Sequence, residues 1–301
     1  MTAPGWTEQI AGSPAAVRES LAATGYLADE GLATASFLAV RMRRPLFLEG
    51  DAGVGKTSLA QALAIAWQAP LVRLQCYEGL DASQALYDWD FPRQLMHLRA
   101  VEATGRAVDA EALEAQVYDR KFLVARPLLQ ALETSPSVLL IDEVDRADDE
   151  FEAFLLEMLS DFAITIPELG TIRAETPPIV IVTSNRTRDV HDALKRRCLY
   201  HWLEHPTYER EVAILRTRLP DVTDRLARDV ARCVRAMRRA DLVKPPGVAE
   251  TLDWAQALQT LGIDTVDTES VAATLGTLLK YHEDIDRVRD IGFDALLADP
   301  A

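Results

Sequence analysis

The sequence predicts an α/β domain built on a mostly parallel sheet with helices on both faces, followed by a smaller domain made only of helices. Three observations carry that expectation. Up to residue 204, short apolar runs bounded by glycine or proline alternate with segments of helical periodicity. One of those runs leads directly into a glycine-rich turn and then a helix. After Pro206 the strand signals stop and only helical patterns remain.

Residues 1–13 are mixed and punctuated by Gly and Pro, and read as a loose arm. Pro14 to Ala23 and Ala28 to Arg44 read as helices separated by Gly25-Tyr26, with Leu32, Ala35, Leu38 and Ala39 at helical spacing in the second. Pro45 to Glu49 reads as a buried strand, Ser58 to Trp67 as a helix, and Leu71 to Gln75 as a second strand. From Asp81 to about Gln130 the pattern is polar and helical with no clear strand, which is long for a connection and reads as an insertion. Ser137 to Ile141 is a third buried strand. The helix Asp148 to Leu159 then sets Phe151, Phe154, Leu155, Met158 and Leu159 on one face. Ala163–Ile166 and Thr171–Arg173 flank Pro167–Gly170 as a hairpin, Ile179–Val182 is a further buried strand, and Leu199–Leu203 a last one. Helical patterns follow over 207–219, 222–240, 247–260 and 268–288. The expected division is an arm at 1–19, an α/β core at 20–204 and a helical domain at 205–301.

The 301 residues, 49% hydrophobic and 26% charged, have the balance of a folded chain with room for two cores. Acidic residues outnumber basic ones by 47 to 32, and the net charge of −15 repels a polyphosphate backbone, which argues against nucleic-acid binding. Cys76, Cys198 and Cys233 are scattered, in no metal-like spacing, and fit a reducing compartment. Met1 to Ala11 lacks a basic start followed by an apolar run, and no stretch approaches the ~20 apolar residues of a membrane span. A cytoplasmic protein without a membrane span is therefore expected.

Gly50-Asp51-Ala52-Gly53-Val54-Gly55-Lys56-Thr57 fits G-x-x-x-x-G-K-[ST], with a strand entering and a helix leaving. Glycines let such a loop turn its N–H groups inward onto phosphate oxygens, and the helix adds its positive end. Gly50 to Ser58, with Asp142, form the expected nucleotide-binding set. Within it Lys56 neutralises the β- and γ-phosphates, and Thr57 and Asp142 take Mg²⁺. The strand Val138–Ile141 ends in Asp142-Glu143, at the sheet edge where parallel α/β folds bind ligands. Glu143 is placed to polarise a water for attack on the γ-phosphate of ATP, so the pair points to hydrolysis. A calcium loop over Asp142–Glu150 is a rival, opposed by the lack of a central glycine. Asp148 to Glu150 read instead as acids complementing a helix dipole.

Asn185 follows the strand at Ile179 and reaches the same edge, where an amide can orient the attacking water. Arg196 and Arg197 precede the last strand. One is read as a surface residue and the other as a finger reaching the γ-phosphate of a neighbouring subunit, the sequence leaving open which is which.

With these elements in this order and a helical C-terminal part, residues 20–290 resemble the AAA+ ATPases. Gly50–Thr57 looks like Walker A, Leu139–Glu143 like Walker B, Asn185 like sensor 1 and Ala193–Arg197 like the arginine-finger segment. The 81–130 insertion and the 163–173 hairpin resemble the helix-2 insert and pre-sensor hairpin of the MoxR clade. Leu74–Asp81, Ile166–Ile172 and Thr183–Arg188 resemble a branch associated with maturation of the molybdenum–copper carbon monoxide dehydrogenase. The resemblance implies a hexameric homo-oligomeric ring, ATP and Mg²⁺, a chaperone-like remodelling role, a metalloenzyme client and a von Willebrand A domain partner. It makes 205–301 the lid. The lid segment Lys244–Ala249 departs from the pattern, having no arginine where a sensor 2 residue is expected, and Lys244 is the substitute on offer. A nucleic-acid-stimulated motor and a nucleotide-gated scaffold are the rival functions.

Weaker signals remain. Arg225, Arg228, Arg232, Arg235 and Arg239 lie beside a stripe of Leu226, Val230, Val234 and Met237, and the helix is read either as presenting a solvated face or as docking an acidic surface of a neighbouring subunit or a client. Gly25-Tyr26-Leu27 is read as a helix-breaking turn or an adenine contact. Tyr87, Trp89 and Phe91 read as a core cluster or a partner-binding tip. The five histidines form no ligand spacing and are assigned no role.

Overall fold

The computed structural model describes residues 12–103, 109 and 116–298. Most of the arm expected at 1–13, and residues 104–108 and 110–115 of the insertion, lie outside them. The first half of the described chain carries α1 (Pro14–Ala23), α2 (Glu30–Met42), β1 (Leu46–Gly50), α3 (Lys56–Ala66), β2 (Leu71–Gln75), α4 (Ala82–Leu86), β3 (Tyr87–Trp89), α5 (Phe91–Ala103), β4 (Leu123–Ala125), α6 (Pro127–Glu133) and β5 (Val138–Asp142). Then come α7 (Asp149–Asp161), β6 (Ala163–Ile166), β7 (Gly170–Arg173), β8 (Ile179–Ser184), α8 (Asp192–Arg197) and β9 (Leu199–Leu203). The helices α9 (Tyr208–Arg218), α10 (Asp224–Arg238), α11 (Val248–Thr260), α12 (Thr268–Leu278), α13 (His282–Ile291) and α14 (Phe293–Ala298) complete it.

By packing, the chain divides into two units. The first holds the described residues up to Val17, Glu30–Leu48 and Leu63–His201. The second holds Arg18–Asp29, Glu49–Ala62 and the chain from Trp202 onward.

The five-stranded sheet has the order β2-β5-β8-β1-β9, and β5 pairs in parallel with both β2 and β8. A sheet covered on both faces needs strands that are apolar at every position, and β5 and β8 are buried throughout. Phe47, Val72, Leu74, Leu139, Ile141, Val180 and Val182 join Leu128 of α6, Leu155 of α7 and Leu194 of α8 in one core. The alternate set, Leu46, Leu48, Leu140 and Ile181, is equally buried. The Asp148 side chain caps α7 by accepting from Phe151 N at 2.9 Å, and Asp149 and Glu150 stand in the first turn of that helix. The β6–β7 hairpin forms as expected, turning through Gly170 at φ +78°.

The insertion corrects one expectation. It contains a two-stranded antiparallel ladder, β3 with β4, pairing Tyr87 with Ala125 and Trp89 with Leu123. Three residues are too few to show strand periodicity, and Asp88 and Asp90 break the apolar pattern. Tyr87 and Trp89 pack against the core, whereas Phe91 is 64% exposed.

The second unit has its own core, centred on Trp254, whose indole Nε1 donates to Thr274 Oγ1 at 2.7 Å. Leu226, Val230, Val234 and Met237 of α10 lie inside that core, while Arg225, Arg228 and Arg239 stay exposed. The helix expected over 268–288 is broken at Leu279–Tyr281. The break lets Leu279 into the core and turns the buried Asp284 inward, where its carboxylate accepts from Val243 N and Lys244 N at 2.7 and 3.0 Å. No described helix is long and apolar enough to cross a membrane.

Candidate functional site

The second unit carries the phosphate loop. The loop opens at Gly50, where an added Cβ would run into the carbonyl oxygen of Leu203. Gly53 and Gly55 follow at φ +79° and +100°, and α3 begins at Lys56. Lys56 is buried, and its ammonium donates to the carbonyls of Gly50 and Asp51 at 2.7 Å each. The cation is thereby held within its own loop. Of the rest of the predicted set, Val54 is buried, Thr57 is half-buried, and Asp51, Ala52 and Ser58 are exposed.

Residues of the same unit grip the loop from outside. Val248 N donates to Gly53 O at 2.9 Å, and a Cβ on Gly247 would come within 2.7 Å of Gly53 Cα. The Tyr26 hydroxyl donates to Gly55 O at 3.4 Å, and burial pushes its pKa up, partly opposed by Arg210. His205 sits with Nε2 3.4 Å from Asp51 Oδ2, yet neither ring nitrogen makes a hydrogen bond. Burial, with Arg238 next, lowers its pKa against the opposing pull of Asp51 and Glu250. No local pattern marks this placement, because His205 and Asp51 are far apart in the chain. Lys244 is exposed. The arginine that turns inward in this region is the half-buried Arg238, whose guanidinium pairs with Glu211 at 2.7 and 2.8 Å and donates to Pro246 O.

The first unit carries the acidic edge. Asp142 ends β5 and is 3% exposed. Its Oδ1 accepts from the Thr183 hydroxyl at 2.6 Å, and its Oδ2 accepts from Arg73 Nη2 and Nε at 2.6 and 3.1 Å. Thr183 Oγ1 in turn accepts from Glu143 N at 2.9 Å. One hydroxyl thus joins both acids to β8. Glu143 adopts a left-handed conformation, φ 55°, which turns the chain sharply off the strand, and its carboxylate pairs with Arg146 at 3.2 Å.

Asn185 is drawn to the same edge by a residue the acidic run had not singled out. The buried carboxylate of Asp145 accepts from Asn185 N at 3.2 Å, Thr187 N at 2.8 Å and Thr187 Oγ1 at 2.7 Å. Arg186 between them is held at φ 58°. Arg188 steadies the far end of this turn by pairing with the fully buried Glu152 and donating to Ala147 O. The structure therefore brings Asp142, Glu143 and Asn185 together through Thr183 and Asp145. Arg196 and Arg197 end α8 exposed to solvent, and the Arg44 guanidinium grips the carbonyls of Arg196, Arg197 and Cys198 at 2.7, 3.1 and 3.0 Å.

The donor chemistry fits a nucleotide with Mg²⁺. Among the described residues no cluster of three or more His, Cys, Asp or Glu could hold a metal. Mg²⁺ needs none, since it keeps most of its water and takes one or two hard oxygens plus phosphate. Asp142 at the acidic edge is an oxygen donor of that kind.

No curated protein matches the chain. Among solved structures, the RuvB Holliday junction branch migration motor of Thermotoga maritima is 19% identical, with a TM-score of 0.46 over 86% of this chain and 68% of that one. A point variant of the same motor is 18% identical, with a TM-score of 0.47 over 91% and 72%. Likeness at this level carries no argument about activity. A family model described as AAA domain (dynein-related subfamily) matches residues 45–198, slightly over half of the sequence. It runs from the residue before β1 to the residue before β9 and so takes in the phosphate loop, both acids, Asn185 and the arginine pair: the chain belongs to the dynein-related AAA domains.

Proposed function

We propose that this chain is an ATPase that works as a ring-forming, chaperone-like remodelling protein. The observation that carries the reading is the Thr183 hydroxyl joining Asp142 and Glu143 at the strand edge that also receives Asn185. Lys56 and the amides of Gly50 to Ser58 bind the triphosphate. Glu143 accepts a proton from the attacking water, and Asn185 orients that water. Thr57 and Asp142 would hold Mg²⁺, which would supply neutralising charge for the phosphates. Arg196 or Arg197 serves a neighbouring subunit as its finger. The working domain division is 20–204 as the nucleotide core and 205–301 as the lid.

The finer reading is that of the MoxR clade, and within it the branch that matures molybdenum–copper carbon monoxide dehydrogenase with a von Willebrand A domain partner. It rests on the motif resemblance at Leu74–Asp81, Ile166–Ile172 and Thr183–Arg188. The experiment is sedimentation of the Glu143→Gln variant with and without ATP, followed by identification of what co-purifies with it. ATP-dependent rings carrying a metalloenzyme or a von Willebrand A domain protein support the reading. A species that stays monomeric in ATP, or phosphate release stimulated by DNA, counts against it.

A further inference from the structure

The guanidinium of Arg73 covers the carboxylate of Asp142. In the β2–β5 register Gln75 lies opposite Asp142, and Arg73, two residues earlier on the same strand face, reaches forward to the carboxylate. Its Nη2 and Nε both converge on Oδ2, at 2.6 and 3.1 Å, while Oδ1 accepts from Thr183. Nη2 also donates to Gln75 Oε1 at 2.5 Å. The two ends of this ion pair differ sharply in environment. The Asp142 side chain is 4% exposed and the Arg73 side chain 50% exposed. A carboxylate so deeply buried requires a counter-charge, whereas the guanidinium can move into solvent and remain tethered to Gln75.

We propose that Arg73 is a positioning residue that holds the Asp142 carboxylate aimed until a divalent cation takes it, and that it competes with that cation. The proposal rests on the ATPase reading of the site, because it takes Asp142 as a metal-binding carboxylate. The chemistry is exchange of one counter-ion for another. A divalent cation held by Asp142 would compete with the bidentate hold of Arg73, because like charges repel, and Arg73 would then retire to Gln75. Arg73 thereby sets how much Mg²⁺ is needed to fill the site, and keeps the buried acid compensated when the metal leaves with product.

The test measures binding rather than turnover. A fluorescent non-hydrolysable ATP analogue is titrated into the full-length chain in EDTA and across a Mg²⁺ series, for wild type, Arg73→Gln and Arg73→Lys. Direct Mn²⁺ binding is followed by electron paramagnetic resonance. Circular dichroism confirms folding of each variant. Arg73→Gln is expected to lower the half-saturating Mg²⁺ about 3- to 10-fold and to raise the ratio of affinity with metal to affinity in EDTA, while Arg73→Lys restores most of the wild-type dependence. A folded Arg73→Gln protein whose Mg²⁺ and Mn²⁺ dependence is unchanged, or shifted to higher metal, overturns the proposal and leaves the ATPase reading standing. A wild-type chain that binds no nucleotide with or without metal overturns both.

Discussion

The carboxylate of Asp145 accepts hydrogen bonds from the backbone N–H groups of both Asn185 and Thr187, at 3.2 and 2.8 Å, and so fixes the turn on which Asn185 is carried. Asp145 lies two residues beyond Glu143, which makes it a brace between the end of β5 and the end of β8. Its second oxygen also receives the Thr187 hydroxyl at 2.7 Å, so three donors converge on one buried charge. An asparagine keeps a single acceptor oxygen and would present its amide to donors.

Asp145→Asn and Asp145→Ala are therefore expected to lower ATP turnover at least ~10-fold while leaving nucleotide affinity within a few-fold, since the turn positions Asn185 and not the phosphate loop. Loss of charge-assisted hydrogen bonds also destabilises the first unit, by about 2–3 kcal/mol for the alanine variant. Urea unfolding and phosphate release, measured on the same preparations, check both halves. Wild-type turnover in a folded Asp145→Ala protein would show that Asn185 needs no such brace.

Lys56 affects binding itself. Its buried ammonium spans the carbonyls of Gly50 and Asp51, at the place where the loop concentrates positive charge. Lys56→Ala is expected to weaken ATP binding by roughly 10- to 100-fold, the scale of one or two charge-assisted hydrogen bonds. Isothermal titration measures this, with melting of the nucleotide-free protein as the control for loop damage. An unchanged dissociation constant would remove Lys56 from the phosphate contact.

His205 gives the nucleotide-free protein a pH dependence whose sign follows from its environment. Burial and Arg238 lower its pKa more than Asp51 and Glu250 raise it, and Lys56 also lowers it. The unfolded chain therefore takes up this proton more readily than the folded one. The stability contribution is fully present above the unfolded value of about 6.5, and it declines as pH falls from there toward the lower folded value. His205→Gln is expected to flatten this part of the stability profile between about pH 7.5 and 5.5, read from urea midpoints across that range. Identical pH slopes in the two proteins would contradict the assignment.

The elements that were legible in the sequence are those whose residues declare themselves locally. β5 and β8 are apolar from end to end because both faces are covered, and the loop from Gly50 to Thr57 carries its own spacing. Asp142, Glu143 and Asn185 could be named because strand ends in a parallel sheet share an edge. What escaped depends on distant pairing. Thr183 reads as one more strand residue until it is seen joining Asp142 and Glu143, and Arg73 gains meaning only from the β2–β5 register. The ladder of β3 and β4 escaped because its two halves are three residues long and separated by more than thirty. The break at Leu279 escaped because 268–288 keeps helical spacing, while Asp284 turns inward to meet backbone donors forty residues away.

The central claim is that Glu143 is the carboxylate that drives ATP hydrolysis, and phosphate release by the full chain in Mg²⁺ and ATP tests it most directly. Wild type should release phosphate, and Glu143→Gln should bind ATP yet release it at least ~100-fold more slowly, as expected for loss of a general base. Equal rates in the two proteins, or no release from a wild-type chain that binds ATP, would contradict the account.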